Sequence, residues 1–229
     1  MRVSILAASG GGVAGRTTLL KVAVGLVALG GLAVLFVRSA QNTRAEPYTV
    51  ARDRLARWTV AREPASSPSG ILLSLRPQRE LASALFNQVF SRSGESLNGP
   101  APAAMPLVLQ SEFDRSVAST LTPEALLAVA RAAGLESATF VPRCMAHRRV
   151  SQPGLTRQVY FLRFDFPAFD EFRRQVSGQL RAAGGNASDF DPAALSPVLI
   201  VAATDAAFGT WLPLRAEAND DCLAPIAVQ

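Results

Sequence analysis

The sequence predicts an α+β protein carried on one N-terminal transmembrane helix. Three observations lead there: a nineteen-residue apolar run near the start, a basic segment around it, and a long remainder in which short apolar runs alternate with amphipathic ones. The run, residues 19–37, holds a single charge, Lys21. At a rise of about 1.5 Å per residue, a helix of that length just crosses a hydrocarbon core of about 30 Å. Lys21 sits in its first turn, where the stem can snorkel to the head groups. Gly25, Gly30 and Gly31 would weaken a helix in water and are ordinary in a membrane span. The expected organisation is a polar tail at 1–18, the transmembrane helix at 19–37, a tether at 38–57 and a water-soluble α+β domain at 58–229.

The division of charge agrees with that plan. Residues 1–62 carry nine Arg or Lys against Glu46 and Asp53, a net of +7, whereas residues 63–229 carry fourteen against sixteen, a net of −2. The high isoelectric point therefore belongs to the segment near the bilayer. Arg38, Arg44, Arg52, Arg54 and Arg57 read as membrane-proximal basic residues, each worth about 1 kcal/mol against anionic head groups. Nucleic acid is not an expected partner, because it asks for a basic face on the folded domain.

Within the tail, Gly10 to Thr17 matches the spacing of a phosphate-binding loop except that Arg16 stands at the lysine position. The helix that follows is apolar on every side, no later strand ends in the acidic pair that would hold magnesium, and arginine does not replace the compact ammonium. Nucleotide binding is therefore not expected. Orientation has arguments on both sides. Basic residues beyond the span outnumber those before it, which the positive-inside rule reads as a cytoplasmic C-terminus. Against that stand the habit of signal-anchors to export a long C-terminal domain, and Cys144 with Cys222, which an exported domain would join in a disulfide. A cleaved signal peptide ending at Thr43-Arg44-Ala45 is a third arrangement, disfavoured by the long stretch after Val37. The favoured reading is a single-pass membrane protein with a periplasmic-type, extracytoplasmic domain.

Beyond the tether the elements follow in turn. Residues 48–62 carry β-formers among arginines, with a weak strand at Trp58–Val60. Pro64 to Gly70 is a loop. Ile71–Leu75 is a buried strand, followed by a helix with Pro77 in its first turn, apolar Leu81, Leu85, Phe86, Val89 and Phe90 at helical spacing, and Gly94 as its stop. A strand at Pro106–Leu109 comes next. Thr122-Pro123-Glu124 opens a second helix, N-cap then proline, that ends by Gly134. Strands at Ala138–Val141 and Val159–Phe164 flank a polar connection containing Pro153-Gly154. Pro167 starts a helix bearing Phe169, Phe172, Val176 and Leu180 and stopping at Gly184-Gly185. A central strand at Pro197–Val201 and a short helix from Thr204 to before Pro213 complete the series. The arrangement suggests a mixed or antiparallel sheet with helices on one face, with two ferredoxin-like β-β-α-β units at 58–111 and 138–203.

Chemistry has few places to sit. Arg143 to Arg149 is the densest polar cluster and holds the only histidine, His147. In an extended stretch, Cys144 and His147 at three-residue spacing point to opposite faces, and a zinc site there would need Asp220 or Asp221 to complete it. No metal and no cofactor are expected. The candidate catalytic residues are Asp165 at a strand end, Asp170 and Glu171 in the next helix, and His147; each has an ordinary alternative as a cap, a helix-dipole partner or a surface residue. A G-x-S-x-G elbow, a dinucleotide loop after a core strand and an H-E-x-x-H helix are all missing from the sequence. The expected function is a non-catalytic interaction or assembly domain, with the bilayer and an envelope protein as partners and open strand edges as docking places. The alternatives are a membrane-anchored hydrolase working through carboxylates, and a small-ligand sensor with an apolar cavity between the two units.

Overall fold

The computed structural model describes residues 27, 29–35, 46–185, 190–215 and 221–229. They fall into two units, one within Met1–Thr43 and one within Arg44–Gln229. In the first, residues 27 and 29–35 are helical and exposed. Most of the 19–37 span, the 1–18 tail, Arg38 and Arg44 lie outside the described residues, and among the described residues no helix is long and apolar enough to cross a membrane.

The second unit is α+β. In chain order it contains β1 (Tyr48–Val50), β2 (Trp58–Arg62), β3 (Ile71–Pro77), α1 (Arg79–Ser93), β4 (Met105–Leu109), α2 (Pro123–Ala132), β5 (Val141–Gln152), β6 (Leu155–Asp165), α3 (Pro167–Ala182), β7 (Val198–Ala203) and β8 (Cys222–Val228). Five strands form one sheet in the order β1-β8-β5-β6-β7, and three form another in the order β2-β3-β4. Every neighbouring pair is antiparallel except β1 and β8, which run parallel.

Local chemistry accounts for most of these elements. β3 and β7 are apolar almost throughout because both of their faces are covered. Thr122 accepts a hydrogen bond from the Ala125 N–H at 3.2 Å, with Pro123 supplying the first helical residue of α2. Gly94 takes φ 66°, the left-handed conformation that ends α1. One continuous core draws Trp58, Leu73 and Leu107 from the small sheet, Tyr48, Tyr160 and Leu199 from the large one, and Leu85, Leu126 and Phe172 from the helices. A smaller core lies on the other face of the large sheet, where Cys144, Phe161 and Ile200 pack beneath Trp211 and Leu214.

The segments β2-β3-α1-β4 and β5-β6-α3-β7 share one strand plan. In each, the second strand is central and the helix leads to a third strand antiparallel to it. The sequence reading needs correction at four places. Pro77 closes β3 rather than opening α1, which begins at Arg79. The expected polar connection before Val159 is a long hairpin, β5 and β6, turned at Pro153-Gly154 with Gly154 at φ 77°. The tether does not reach residue 57, because Tyr48 and Val50 of β1 and then Leu55 are buried. Finally, β8 completes the large sheet from a C-terminal run interrupted by Pro225, a residue that masks a strand signature.

Outer strands are closed by groups from elsewhere. On β1, Thr49 N–H donates to Gln88 Oε1 at 2.9 Å while Gln88 Nε2 donates to the Thr49 carbonyl at 2.8 Å. On β2, Val60 N–H donates to Glu136 Oε1 at 2.7 Å. On β4, Arg173 Nη1 donates to the Leu107 carbonyl at 2.9 Å. On β7, Ala203 exchanges two backbone hydrogen bonds with Asn98.

Candidate functional site

Two clefts lie on either side of the segment from Gly99 to Ala104. The larger, about 630 Å³, is walled by the start of α1, with Ala82 and Phe86 facing Gly99–Ala103 and Val201. The smaller, about 160 Å³, is lined by Glu63, the Ser67–Ser69 loop, Ile71, Pro100–Pro102, Ala104, Ile200 and part of the Ala206–Leu212 turn. Glu63 and Arg76 stand between them, one on each cleft. Arg76 donates to Glu63 through Nε at 2.9 Å and Nη2 at 2.5 Å, and the buried Ser74 hydroxyl donates to the same carboxylate at 2.5 Å. This explains a serine inside the apolar β3. Burial pushes the Glu63 carboxyl up, but the hydrogen bonds from Arg76 and Ser74 and the Arg76 charge outweigh it and hold the group below its ordinary value.

Small residues shape both walls. A Cβ on Gly99 would sit 3.1 Å from the Phe86 ring, so glycine lets the segment lie against it. A Cβ on Gly209 would sit 2.5 Å from the Pro68 carbonyl oxygen and 2.9 Å from that of Ser69, so only glycine lets the turn close on the loop. Phe86 stacks on Phe90 with centroids 6.0 Å apart, and Phe90 is 51% exposed, so apolar surface continues from the larger cleft along α1. The rim is polar: Arg76, Gln78, Arg79, Ser83 and Asn87.

The candidate catalytic residues are distributed over separate places. Asp165 and Asp170 share a shallow cleft of about 300 Å³ with Arg143 and Arg163, and Arg143 Nη1 lies 3.6 Å from Asp165 Oδ1. Glu171 is outside it, paired with Arg174 at 3.0 Å and accepting from Gln175 at 3.1 Å. His147 belongs to another small cleft, stacked on Tyr160 with centroids 4.6 Å apart. Gln158 Nε2 donates to Glu95 Oε1 at 2.9 Å, which turns the amide oxygen toward His147 Nε2 at 2.8 Å and assigns that nitrogen its proton.

Cys144 and Cys222 are bonded, Sγ to Sγ at 1.94 Å, tying β5 to β8. Neither sulfur is free to ligate a metal, and Asp221 is taken by Arg148 at 2.5 Å. Asp220 lies outside the described residues. No group of three His, Cys, Asp or Glu that could hold a metal ion occurs among the described residues.

The basic residues are rearranged by the fold. Arg52, Arg54 and Arg57 occupy the turn after β1, where Arg52 N–H donates to the C-terminal Gln229 carbonyl at 2.8 Å. Because β1 runs parallel to β8, that turn lies at the end of the sheet opposite the one where the chain enters. At the entering end Arg92 donates to the Glu46 carbonyl at 2.6 Å and to that of Pro47 at 3.0 Å. Sequence reasoning offered an apolar cavity between the two β-β-α-β segments only as an alternative and singled out no site residue in the larger cleft, whose walls come from three distant segments. The only local signal was Phe86 and Phe90, four apart and flanking the buried stripe of α1. Compared with protein-family models, curated proteins and solved structures, the chain matches none of them.

Proposed function

We propose that the chain is a membrane-tethered, extracytoplasmic binding domain, non-catalytic, whose partner seats in the cleft beside α1. The lining of that cleft carries the reading. Its floor is apolar (Ala82, Phe86, Pro100, Pro102, Val201), its rim holds Arg76 and Arg79, and no acid, imidazole or thiol lines it. Such a lining supplies contact area and a cationic end without a group to move a proton. Arg76 is engaged by Glu63, so Arg79, in the first turn of α1, is the cation left to an acidic group of the partner. The apolar 19–37 run supports the membrane tether, and the Cys144–Cys222 bond supports an oxidising compartment. The hydrolase alternative would rest on Asp165 and Asp170, which share a shallow cleft with two arginines.

The test is a photo-crosslinking residue at Ser83 in the full chain, in its own membrane, with Glu171 as the control position. A protein adduct at Ser83 that disappears with Ala82→Trp supports the interaction reading. A small mass increment instead of a protein adduct favours the ligand-sensor alternative. Labelling no greater than at Glu171 refutes both. Protease digestion of intact and lysed spheroplasts, with thiol alkylation before and after reduction, tests the compartment: protection until lysis with free thiols would place the domain in the cytoplasm. We also propose that the two β-β-α-β segments are one repeated unit, which requires 58–111 and 138–203 to superpose with their helices on the same side of their sheets.

A further inference from the structure

We infer that the tip of the β5–β6 hairpin is a lipid-contacting element that seats the domain on the bilayer surface beside its own tether. The inference rests on the membrane-tether reading above, and the experiment below separates the two.

The hairpin outruns its neighbours. β8 pairs with β5 only at Cys144–Ala146, and β7 pairs with β6 only from Val159 to Arg163. Beyond both neighbours, residues 149–152 and 155–158 continue as a two-stranded ribbon, which at about 3.3 Å per residue projects about 13 Å. Register places Val150 opposite Arg157 and Gln152 opposite Leu155, so Val150 and Leu155 share one face near the tip. They are 38% and 54% exposed, and neither packs on the domain's cores.

The charge suits an anionic surface. Residues 147–158 contain three arginines and a histidine, without an acidic residue. Asp221 pairs with Arg148 at the ribbon's base and Asp205 with Arg157 opposite Val150, while Arg149 has no acidic partner among the described residues. Exposed aliphatic residues beside arginine are the composition of an interfacial anchor, where apolar groups enter the head-group boundary and cations meet lipid phosphates.

The path of the chain selects the bilayer over a distant partner. β1 runs parallel to β8, and β8 antiparallel to β5, so the chain reaches Tyr48 from the end of the sheet at which the ribbon projects. Tyr48 and Arg149 line the same small cleft, which places the ribbon's base beside the start of the domain. Between the end of the span at Val37 and Glu46 there are eight residues, an extended reach of about 30 Å at most. That length keeps the ribbon's end of the sheet within reach of the membrane. Arg52, Arg54 and Arg57, at the opposite end, are the wrong residues for this contact.

The experiment uses the full chain with its disulfide intact, reconstituted into vesicles of phosphatidylcholine with phosphatidylglycerol. An environment-sensitive fluorophore is placed on Leu155→Cys, and on Val141→Cys at the far end of the sheet as the comparison. The expected result is a blue shift and loss of emission with shallow quenching lipids at 155 but not at 141, reduced by Arg149→Glu and by omitting the anionic lipid. Chain that floats with the vesicles while the label at 155 reports water overturns the inference and leaves the ribbon to a protein partner. Chain that does not float overturns the tether reading itself. Equal quenching at both positions overturns the orientation.

Discussion

Arg173 is the most exacting test of the fold. Its side chain is fully buried on α3, and all five of its N–H groups are used. Nε donates to the Pro192 carbonyl at 2.8 Å, Nη1 to the Leu107 carbonyl at 2.9 Å and Glu112 Oε2 at 3.4 Å, and Nη2 to Glu112 Oε1 and the Asp191 carbonyl, both at 2.7 Å. The guanidinium also lies over the Phe190 ring, 4.6 Å from its centroid. One residue thus joins α3 to the edge of β4, to the turn that follows it and to the segment before β7. Arg173→Met keeps the volume and removes every donor. It strands the mostly buried Glu112 carboxylate, a loss of about 3–5 kcal/mol for a broken buried pair, and it orphans three carbonyls besides. A total near 5 kcal/mol would be a third or more of the stability of an ordinary domain and would lower the melting temperature by about 10–20 °C. The assay is near-UV circular dichroism and urea unfolding of the full chain in detergent, with tryptophan fluorescence as the probe. Trp58 sits in the main core, stacked on Phe140 at 4.3 Å, so it reports the structure that Arg173 supports. Adding Glu112→Gln should recover part of the loss, because it removes the stranded charge but not the orphaned carbonyls. A single variant melting within about 3 °C of the parent would refute the account.

Three further outcomes follow from the geometry. Replacing Cys144 and Cys222 by serine opens a connection of sequence separation 78 and should cost about 4 kcal/mol in the chain-entropy treatment; an unchanged urea midpoint would show the bond to be absent in the protein as isolated. The Glu63 and Asp205 carboxyls are both held below their ordinary values, Asp205 chiefly by its hydrogen bond with Arg157. Their contribution is complete above the unfolded-state values and is lost as pH falls through the folded ones, so the urea midpoint should drop on acidification, less steeply in Glu63→Gln; equal slopes would remove Glu63 from the account. Gly209→Ala brings a Cβ against two backbone carbonyls that cannot rotate away, so a loss of about 1–3 kcal/mol is expected, whereas Gly99→Ala meets only the movable Phe86 ring and should cost less. Thermal melts that rank the two glycines in the reverse order would contradict this.

Where a few neighbouring residues decide an element, the sequence was sufficient. Thr122-Pro123 starts α2, Gly94 ends α1, and Phe169, Phe172, Val176 and Leu180 face the core from α3 as their spacing requires. The disulfide was equally accessible, since two cysteines permit one pairing. The β5–β6 ribbon was hidden because a strand exposed on both faces carries no apolar alternation for periodicity to detect. Arg173 was passed over although visible: it lies four residues after Phe169 and three before Val176, on the apolar face, where a charge signals a buried partner. The larger cleft was beyond local reasoning, since residues 76–87, 99–103 and 201 meet only after both sheets have formed. Arg52, Arg54 and Arg57 show the same limit of local reasoning. Three residues of β1 carry the chain along the sheet, so Arg52 is near Glu46 in sequence but belongs to the other end.

The closure of the strand edges bears on how this domain can bind. Docking by β-addition needs a row of free N–H and C=O groups, and the middle residues of β1, β2 and β4 have theirs taken by Gln88, Glu136 and Arg173. A primary amide such as that of Gln88 offers a carbonyl and an N–H together, so it occupies Thr49 as a neighbouring strand would. Closed edges keep the domain from pairing indiscriminately with other chains. The surfaces left for selective contact are those where side chains, not backbone, meet the partner. Two are present: the apolar cleft with its Arg79 rim, and the ribbon with Val150, Arg149 and Leu155. Their chemistry differs, one an apolar concavity and the other a thin cationic projection. Neither contact would require the pairing of the sheets to change, because both are made by side chains outside the ladders, so the cleft and the ribbon can be tested independently.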